Sequence, residues 1–252
     1  MTIAFPAIHA VTDSASVLTK GFVARAEQVM IALGSRGAIH LRCSRTSGRN
    51  FYEIAEQLAS FQTPTGCWLI VNDRVDIARA VGARGAQLAS HSLQIREAKI
   101  VAPNTPLGAS VHSVEEGIEA EASGATWCVA GTIFETPSHE GRPPARIDFL
   151  KRLAAAVSIP IIAIGGIGPE NVAGLMEAGA YGVATIRGVC WDAKPEQASD
   201  DDDQLKTRLP AAKDGGFLEP VTRYISAYDS VSRVQPDDHA DRERGTPGAG
   251  AA

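Results

Sequence analysis

Two adjacent glycines, Gly165 and Gly166, follow the apolar segment Ile161–Ile164 and precede Pro169. An apolar run that stops at glycines just before a helix start predicts a buried strand whose end lets backbone come close to a ligand. Amide N–H groups freed at such a turn favour an anion. The sequence therefore predicts a phosphorylated small molecule as the ligand. The alternative is that the glycines only allow a helix to pack closely on a strand.

A second candidate phosphate contact lies further along the chain, where Arg187 and Gly188 follow another apolar segment. A guanidinium group matches the geometry of a phosphate, so we expect Arg187 and Gly188 to complete the phosphate-binding set. The alternative for Arg187 is a position at the rim, paired with the acidic run Asp200–Asp203.

His40 and Arg42 are two residues apart on a predicted strand, so their side chains share one face. In the functional interpretation Arg42 binds a carboxylate or phosphate of the substrate, and His40 moves a proton near neutral pH. In the structural interpretation His40 is a core histidine that is hydrogen-bonded to a polar group of a neighbouring strand. Both interpretations remain open at this point.

Asn72 and Asp73 stand at the end of the next predicted strand. Asp73 is a candidate Mg²⁺ ligand, since Mg²⁺ is usually held by one or two carboxylates together with substrate oxygens. We favour instead a helix cap, with the helix beginning at Arg74, because residues 89–92 supply no second carboxylate. Asn72 is a candidate substrate-binding residue, as are Ser110, Thr132 and Thr136. His139, in the long loop 132–146, is a second candidate for acid/base catalysis.

These residues must be positioned by a regular alternation of strands and helices. We predict eight strands, each followed by a helix, over residues 8–12, 38–42, 68–72, 85–88, 107–111, 126–130, 160–164 and 182–186. Eight such pairs predict an α/β fold of the (β/α)₈ TIM-barrel type, in which the carboxyl ends of the strands meet at one mouth. Every candidate above then lies at that mouth.

The predicted organisation is a single TIM-barrel domain over residues 1–233. Residues 199–216 are expected to form a flexible acidic insertion before the last helix, which is predicted over residues 217–231. Residues 234–252 are polar and rich in glycine and proline, so we expect a disordered tail.

Composition argues against several classes of partner. The formal net charge of −5 favours neither nucleic acid nor an anionic membrane. The sequence has no apolar run of membrane-spanning length and no signal peptide, so we expect a cytoplasmic protein. The four cysteines have no CxxC spacing and lie in or near predicted strands, which predicts buried thiols rather than a metal site or disulfides.

Several segments together resemble the thiamine phosphate synthase/TenI family. They include Ile8–Asp13, Asn72–Ala78, Gly108–Ser113, Gly131–Thr136, Ala163–Ile167 and Gly179–Ala184, in the family's order. The resemblance covers roughly residues 7–190. It implies a TIM barrel that acts on a thiazole phosphate in thiamine biosynthesis, often as a homodimer.

The family contains two kinds of enzyme. The synthase joins the thiazole phosphate to a pyrimidine diphosphate with Mg²⁺ held by two aspartates, whereas the TenI type is best known as a thiazole tautomerase. By this resemblance the first aspartate matches Asp73, but the second falls on Ser92. The synthase's two lysines fall on Ser44 and His139, and the TenI acid/base histidine falls on Thr132.

These substitutions remove one metal ligand and two cations from the part of the site that binds the diphosphate in the synthase. They favour a TenI-like tautomerase without a cofactor, because expelling pyrophosphate depends on cations and metal ligands. In that hypothesis His40 is the acid/base, His139 is the second candidate, Arg42 binds the substrate's carboxylate and Ser110 positions the ring. The first alternative is a Mg²⁺-dependent thiamine phosphate synthase, with Asp73 as a metal ligand. The second is a non-catalytic paralogue that binds a thiazole or thiamine phosphate.

Overall fold

The computed structural model describes residues 5–136, 146–189 and 218–232, which form a closed barrel of eight parallel strands. The strands follow one another around the barrel in chain order, and β1 pairs with both β2 and β8. This confirms the (β/α)₈ prediction. The strands are β1 Ile8–Val11, β2 Gly37–Leu41, β3 Trp68–Asn72, β4 Gly85–Leu88, β5 Leu107–Val111, β6 Trp127–Gly131, β7 Ile161–Ile164 and β8 Gly182–Thr185.

Helices follow the strands and surround the barrel. They are α1 Ser14–Val17, α2 Phe22–Leu33, α3 Gly48–Ser60, α4 Gln62–Thr65, α5 Val75–Val81, α6 Ile95–Val101, α7 Val114–Ala122, α8 Arg146–Ala156, α9 Val172–Glu177 and α10 Glu219–Ser232. Short 3₁₀ turns precede β2 and α9. The final helix, α10, packs against α9 and α2 and so closes the ring.

The apolar spacing between the first two strands predicts one helix, over about residues 17–33. The structure has two helices there, α1 and α2. The carboxylate of Asp13 accepts a hydrogen bond from the Ser16 N–H at 2.8 Å and so starts α1 earlier than expected. Gly21 then begins α2 after a short turn. A local polar cap therefore overrides the apolar spacing that suggested one continuous helix.

Two apolar cores hold the barrel together. The larger lies between the helices and the outer face of the sheet, where side chains such as Met30, Leu33 and Leu58 are fully buried. The smaller fills the barrel interior and includes Val11, Ala38, Ile70, Trp127, Val129, Ile162 and Ala184. At the amino ends of the strands, the Phe5 ring contacts Trp68, Trp127 and Tyr181. Aromatic side chains thus fill the barrel at the amino ends of the strands, and the carboxyl ends are left as the place for a site.

The described cysteines agree in part with the prediction of buried thiols. Cys67 and Cys128 are buried, and Cys43 is half-buried. Burial raises the pKa of the Cys67 and Cys128 thiols to about 12, so both stay protonated. Within the described ranges, none of the helices has the length and apolar character needed to cross a membrane. Cys190, the predicted insertion at 199–216 and the predicted tail at 234–252 all lie outside the described residues.

Candidate active site

The mouth of the barrel has one polar wall. Strands β2 to β5 contribute one inward polar side chain each near their carboxyl ends, while Val129, Ile164 and Ile186 line the interior elsewhere. Asn72 and Gln87 are register partners on β3 and β4, so they stand side by side. The four polar side chains are His40, Asn72, Gln87 and Ser110. Sequence reasoning had selected three of these four as site residues.

His40 belongs to a buried hydrogen-bonded chain. Its Nε2 lies 2.7 Å from Nδ1 of His9, and its Nδ1 lies 3.3 Å from Oδ1 of Asn72. On the far side, Nε2 of His9 donates to the Pro6 carbonyl at 2.9 Å. Both imidazole rings are fully buried, and both nitrogens of His40 are engaged within the protein. This arrangement favours the structural interpretation of His40 over proton transfer to a substrate.

Burial also decides the charge of these two rings. It lowers the pKa of His9 to about 4, although the hydrogen bond to the Pro6 carbonyl opposes that shift. Burial, and next the charge of His9, lower the pKa of His40 well below its ordinary value, against a raising contribution from Asn72. The free barrel at neutral pH therefore holds a neutral His9–His40 pair.

The neutral pair predicts acid-sensitive folding. An unfolded chain protonates His9 near its ordinary pKa, whereas the folded chain protonates it only near pH 4. The stability from this ring is thus complete above about pH 6.5 and falls, by about 3 kcal/mol in total, as the pH drops toward 4. Urea unfolding between about pH 7 and pH 4.5 measures the loss. A His9→Gln variant, which keeps a donor and an acceptor but does not titrate, should show a smaller loss; an equal loss contradicts the assignment.

A second buried chain orients Ser110. The indole N–H of Trp127 donates to Oε1 of Gln87 at 2.7 Å, which turns the Gln87 amide nitrogen toward Oγ of Ser110 at 3.1 Å. Since Ser110 accepts this hydrogen bond, its own hydroxyl proton is left for another acceptor. The half-buried Ser110 is thus well placed to donate to a ring nitrogen or to an oxyanion at the mouth.

Asp73 does not cap a helix, so the sequence prediction on this point was wrong. Helix α5 begins at Val75, its cap residue is Arg74, and no side chain caps it. Asp73 instead adopts a positive φ of 63°, and its carboxylate bonds to groups outside the helix. Its Oδ1 accepts hydrogen bonds from the Ala89 N–H at 3.1 Å and from the hydroxyl of Ser92. The position that resembles the second synthase aspartate, Ser92, therefore does lie against the first.

The residues around Asp73 fit a Mg²⁺ ion only with help from a substrate. No described group of three or more Asp, Glu, His or Cys side chains is arranged to hold a metal. Asp73 offers one carboxylate, and its Oδ2 accepts no hydrogen bond from any described residue. Because Mg²⁺ commonly takes one or two carboxylates and completes its shell with waters and phosphate oxygens, this donor set suits a Mg²⁺–diphosphate rather than the free ion.

The glycine pair forms a tight turn after β7. Gly165 and Gly166 have φ values of 105° and 62°, which side chains rarely adopt. A Cβ added at Gly165 would lie 2.4 Å from Cγ2 of Thr132, and one at Gly166 would lie 2.4 Å from the carbonyl oxygen of Glu135. Gly166 is exposed, so its backbone is open to a ligand. The turn thus combines left-handed backbone with close packing on the loop after β6.

Tyr224, from the final helix, links the two predicted phosphate loops. Its hydroxyl donates to the Ile167 carbonyl at 2.6 Å and lies 3.4 Å from Oγ1 of Thr185. Oγ1 of Thr185 in turn accepts from the N–H of Gly188 at 3.0 Å. Arg187 is exposed, and no acidic side chain in the described ranges forms an ion pair with it. The two loops are therefore set side by side by a residue that sequence reasoning had not considered.

The remaining predicted site residues lie in segments that follow the strands rather than on the strands themselves. Arg42 is exposed at the end of β2, where its backbone N–H and carbonyl bond to the Thr12 hydroxyl. Thr132 and Thr136 are half-buried in the loop after β6. His139 lies outside the described residues, so its role stays a prediction.

Comparison with known proteins identifies the family. The family profile described as thiamine monophosphate synthase matches residues 8–189, which is most of the barrel. The chain belongs to this family. It is 38% identical over 164 residues to a thiamine-phosphate synthase of Pyrococcus furiosus, covering 65% of this chain and 79% of that one. It is 39% identical over 189 residues to a thiamine-phosphate synthase of Methanoculleus marisnigri, covering 74% and 88%.

Solved structures agree with the family assignment. The chain resembles the thiamine phosphate pyrophosphorylase of Pyrococcus furiosus with a TM-score of 0.71 and 28% identity, covering 89% of this chain and 96% of that one. A structure titled native KDPGal matches with a TM-score of 0.61 but only 15% identity, which reflects the barrel fold alone.

Three features of the site were missed by sequence reasoning. They are His9, Ser92 and Tyr224. His9 lies within the first predicted strand, and the sequence does not decide which way it faces. Ser92 replaces an acidic residue of the family pattern, and Tyr224 is one position of the helix predicted over residues 217–231. Each acts through a partner that is distant in sequence: His40, Asp73 and Ile167, respectively. The one local signal was the period of two that puts His9 on the same face as Val11, which lines the interior.

Proposed function

We propose that the protein joins a thiazole phosphate to a pyrimidine diphosphate and releases pyrophosphate. In this transfer the carbon–oxygen bond to the diphosphate breaks, pyrophosphate leaves with the electron pair, and the thiazole ring forms the new bond to that carbon. The curated relatives named above are thiamine-phosphate synthases with 38% and 39% identity, which supports the synthase alternative over the tautomerase that the sequence favoured.

The observation that carries the proposal is that two sets of groups face one mouth: the glycine turn after β7, exposed at Gly166, and the polar side chains of β2 to β5. Gly165 and Gly166, with the exposed guanidinium of Arg187, are proposed to hold the phosphate of the thiazole. Gly188 is proposed to border the phosphate, since its N–H already donates to Oγ1 of Thr185. On the opposite wall, Arg42 and Asn72 are proposed to contact the diphosphate. Ser110 donates to the bound ring, and Thr132 and Thr136 border the thiazole.

Asp73 is proposed to hold Mg²⁺ together with the diphosphate oxygens. When bound, Mg²⁺ supplies positive charge that stabilises the leaving pyrophosphate. The protein's own contribution is to orient: Ser92 and the Ala89 N–H hold the Asp73 carboxylate in place. The preorganised donors of this wall lower the cost of charge development as the bond breaks.

Tautomerisation has less support, for a chemical reason. Moving a proton within the thiazole needs a general acid or base with a pKa near neutrality. Both nitrogens of His40 are engaged, its pKa is depressed, and Thr132 lacks a suitable group. A departing pyrophosphate needs cations and hydrogen-bond donors rather than a protein base, and Arg42 and Asn72 are the groups proposed to supply them.

The test is direct assay of pyrophosphate release from the two purified substrates. We expect one pyrophosphate for each thiamine phosphate formed, dependence on Mg²⁺, loss of activity with a chelator, and no release when either substrate is omitted. Calorimetric binding of the thiazole phosphate without turnover would favour the non-catalytic alternative. The loss of activity would then be explained by Ser92, which stands where the synthase has its second Mg²⁺-binding aspartate. Conversion of the thiazole tautomer without transfer would restore the TenI-type function.

A further inference from the structure

The buried chain from Pro6 to Asn72 has a defined hydrogen-bond polarity. A carbonyl oxygen can only accept, so Nε2 of His9 carries a proton and donates to Pro6. Since His9 is neutral, its Nδ1 accepts, and Nε2 of His40 must be the donor across the 2.7 Å contact. A neutral His40 then has an unprotonated Nδ1, which can only accept. The proton positions along the chain are thus determined from the Pro6 end.

This polarity reaches the mouth of the barrel through Asn72. Next to a neutral His40, Asn72 must point its amide N–H₂ at Nδ1 of His40, which leaves its carbonyl oxygen for the site. The structure has the opposite orientation, with Oδ1 of Asn72 at 3.3 Å from that nitrogen. A half-turn of the amide interconverts the two. The orientation with Oδ1 inward is satisfied only when Nδ1 of His40 also carries a proton.

A diphosphate selects between the two orientations. Phosphate oxygens accept hydrogen bonds, so they repel an outward carbonyl oxygen and bind an outward N–H₂. When the N–H₂ group of Asn72 faces the diphosphate, its Oδ1 faces Nδ1 of His40. That nitrogen must then carry a proton and donate it to Oδ1. A tautomer change in both neutral histidines would also protonate Nδ1 of His40. It is excluded because it would leave the Pro6 carbonyl facing an unprotonated Nε2 of His9.

We propose that binding of a diphosphate against Asn72 is accompanied by uptake of one solvent proton on Nδ1 of His40. This inference rests on the proposed function, since it takes the diphosphate to be the ligand of this wall. It makes His40 a positioning residue: it acts on the substrate through Asn72 and touches no reacting atom. The resulting imidazolium also adds positive charge beneath the diphosphate.

The surroundings of His40 favour a transition between these two states. Among the described residues, His9 on β1 and Asn72 on β3 are the polar groups hydrogen-bonded to the ring. The neighbouring cluster consists of apolar side chains such as Val11, Ala38 and Ile70. Asp73, the nearest acid in sequence to Asn72, directs its carboxylate to Ala89 and Ser92 on the β4 side. Arg42 is exposed beyond the strand end. Burial among apolar side chains favours neutral His40, and the neutral ring requires the Asn72 amide to turn from the orientation seen in the structure. An anion above Asn72 favours the present orientation and the cation.

The test is calorimetric titration of the full-length protein with magnesium pyrophosphate at about pH 7, in buffers of different ionisation enthalpy. The dependence of the observed heat on the buffer gives the number of protons taken up. The matched variant is His40→Gln, which can bond to both neighbours but cannot titrate. We expect wild type to take up more protons than the variant by an amount approaching one per site. Its dissociation constant should also fall with decreasing pH more steeply than the variant's, by up to about tenfold per pH unit.

Subtracting the variant removes the ionisation of pyrophosphate itself, which is common to both proteins. If both proteins bind with equal proton counts, the inference is wrong while the proposed function stands. If wild type fails to bind magnesium pyrophosphate, the inference and the proposed function both fail. If the His40→Gln variant does not fold, the proposal can be tested on the wild-type protein alone. The ¹⁵N NMR signals of the imidazoles should show one ring becoming doubly protonated when pyrophosphate is added. An unchanged spectrum overturns the proposal.

Discussion

The Asp73→Asn variant is expected to lose at least ~100-fold in the rate of pyrophosphate release and most of its response to Mg²⁺. Asp73 is the carboxylate proposed to hold the metal, and even residues that only orient metal ligands commonly contribute 10- to 100-fold. The fold should survive, because asparagine adopts positive φ as readily as aspartate and its oxygen still accepts from the Ala89 N–H. Steady-state kinetics across a Mg²⁺ series, together with thermal unfolding, measure both effects.

Asp76→Asn is the matched control. Asp76 lies one turn away and forms an exposed ion pair with Arg74 at 2.6 Å, so its loss should leave the rate within about twofold and change stability by less than about 1 kcal/mol. In the opposite direction, Ser92→Asp adds a carboxylate beside Asp73 and should lower the Mg²⁺ concentration needed for half-maximal rate. Full activity in Asp73→Asn would remove Asp73 from the proposed metal site.

The Gly166→Ala variant should raise the KM for the thiazole phosphate about tenfold and leave kcat nearly unchanged. A methyl group there would lie 2.4 Å from the Glu135 carbonyl oxygen and 2.9 Å from Cβ of Phe134, on a residue with a φ of 62°. Relieving this contact and the strain of left-handed backbone, about 1–2 kcal/mol, moves the turn away from the phosphate. The phosphate is remote from the reacting atoms, so the loss falls on binding.

Gly174→Ala makes the same substitution where it should be harmless. Gly174 lies in α9, soon after the turn, and a Cβ there meets no atom within 4 Å. Alanine also favours helix over glycine, so this variant should be as stable as wild type or slightly more so, with an unchanged KM. Equal KM values in the two variants would show that the turn after β7 does not bind the phosphate.

The architecture could be predicted from local sequence to within a residue or two. The bounds of β3, β4 and β5 agree with the prediction at both ends. Each of these strands is a short apolar segment bounded by residues that stop a strand, so its limits depend on neighbours along the chain. The exception, α1 and α2, arose where the Asp13 cap and Gly21 interrupt an otherwise helical pattern.

The candidate site was predicted in part, for a related reason. Gly165 and Gly166 carry a local signal, since left-handed backbone demands glycine wherever the residue stands. Asp73 carries none, because an aspartate before a helix commonly caps it. Only the approach of Ala89 and Ser92, brought beside β3 by the neighbouring strand β4, turned the carboxylate elsewhere.

The order of apolar and polar residues by itself determined eight parallel strands. It therefore also determined which residues lie at the carboxyl ends of those strands, at the mouth of the barrel. What the tertiary structure decided is the chemical state of those residues. The proton positions of His40 depend on His9 and Pro6 from β1 and its preceding segment, and the hydroxyl of Ser110 depends on Trp127 from β6. Hydrogen-bond polarity is a property of contacts across the barrel, and such contacts exist only once the strands have closed around them.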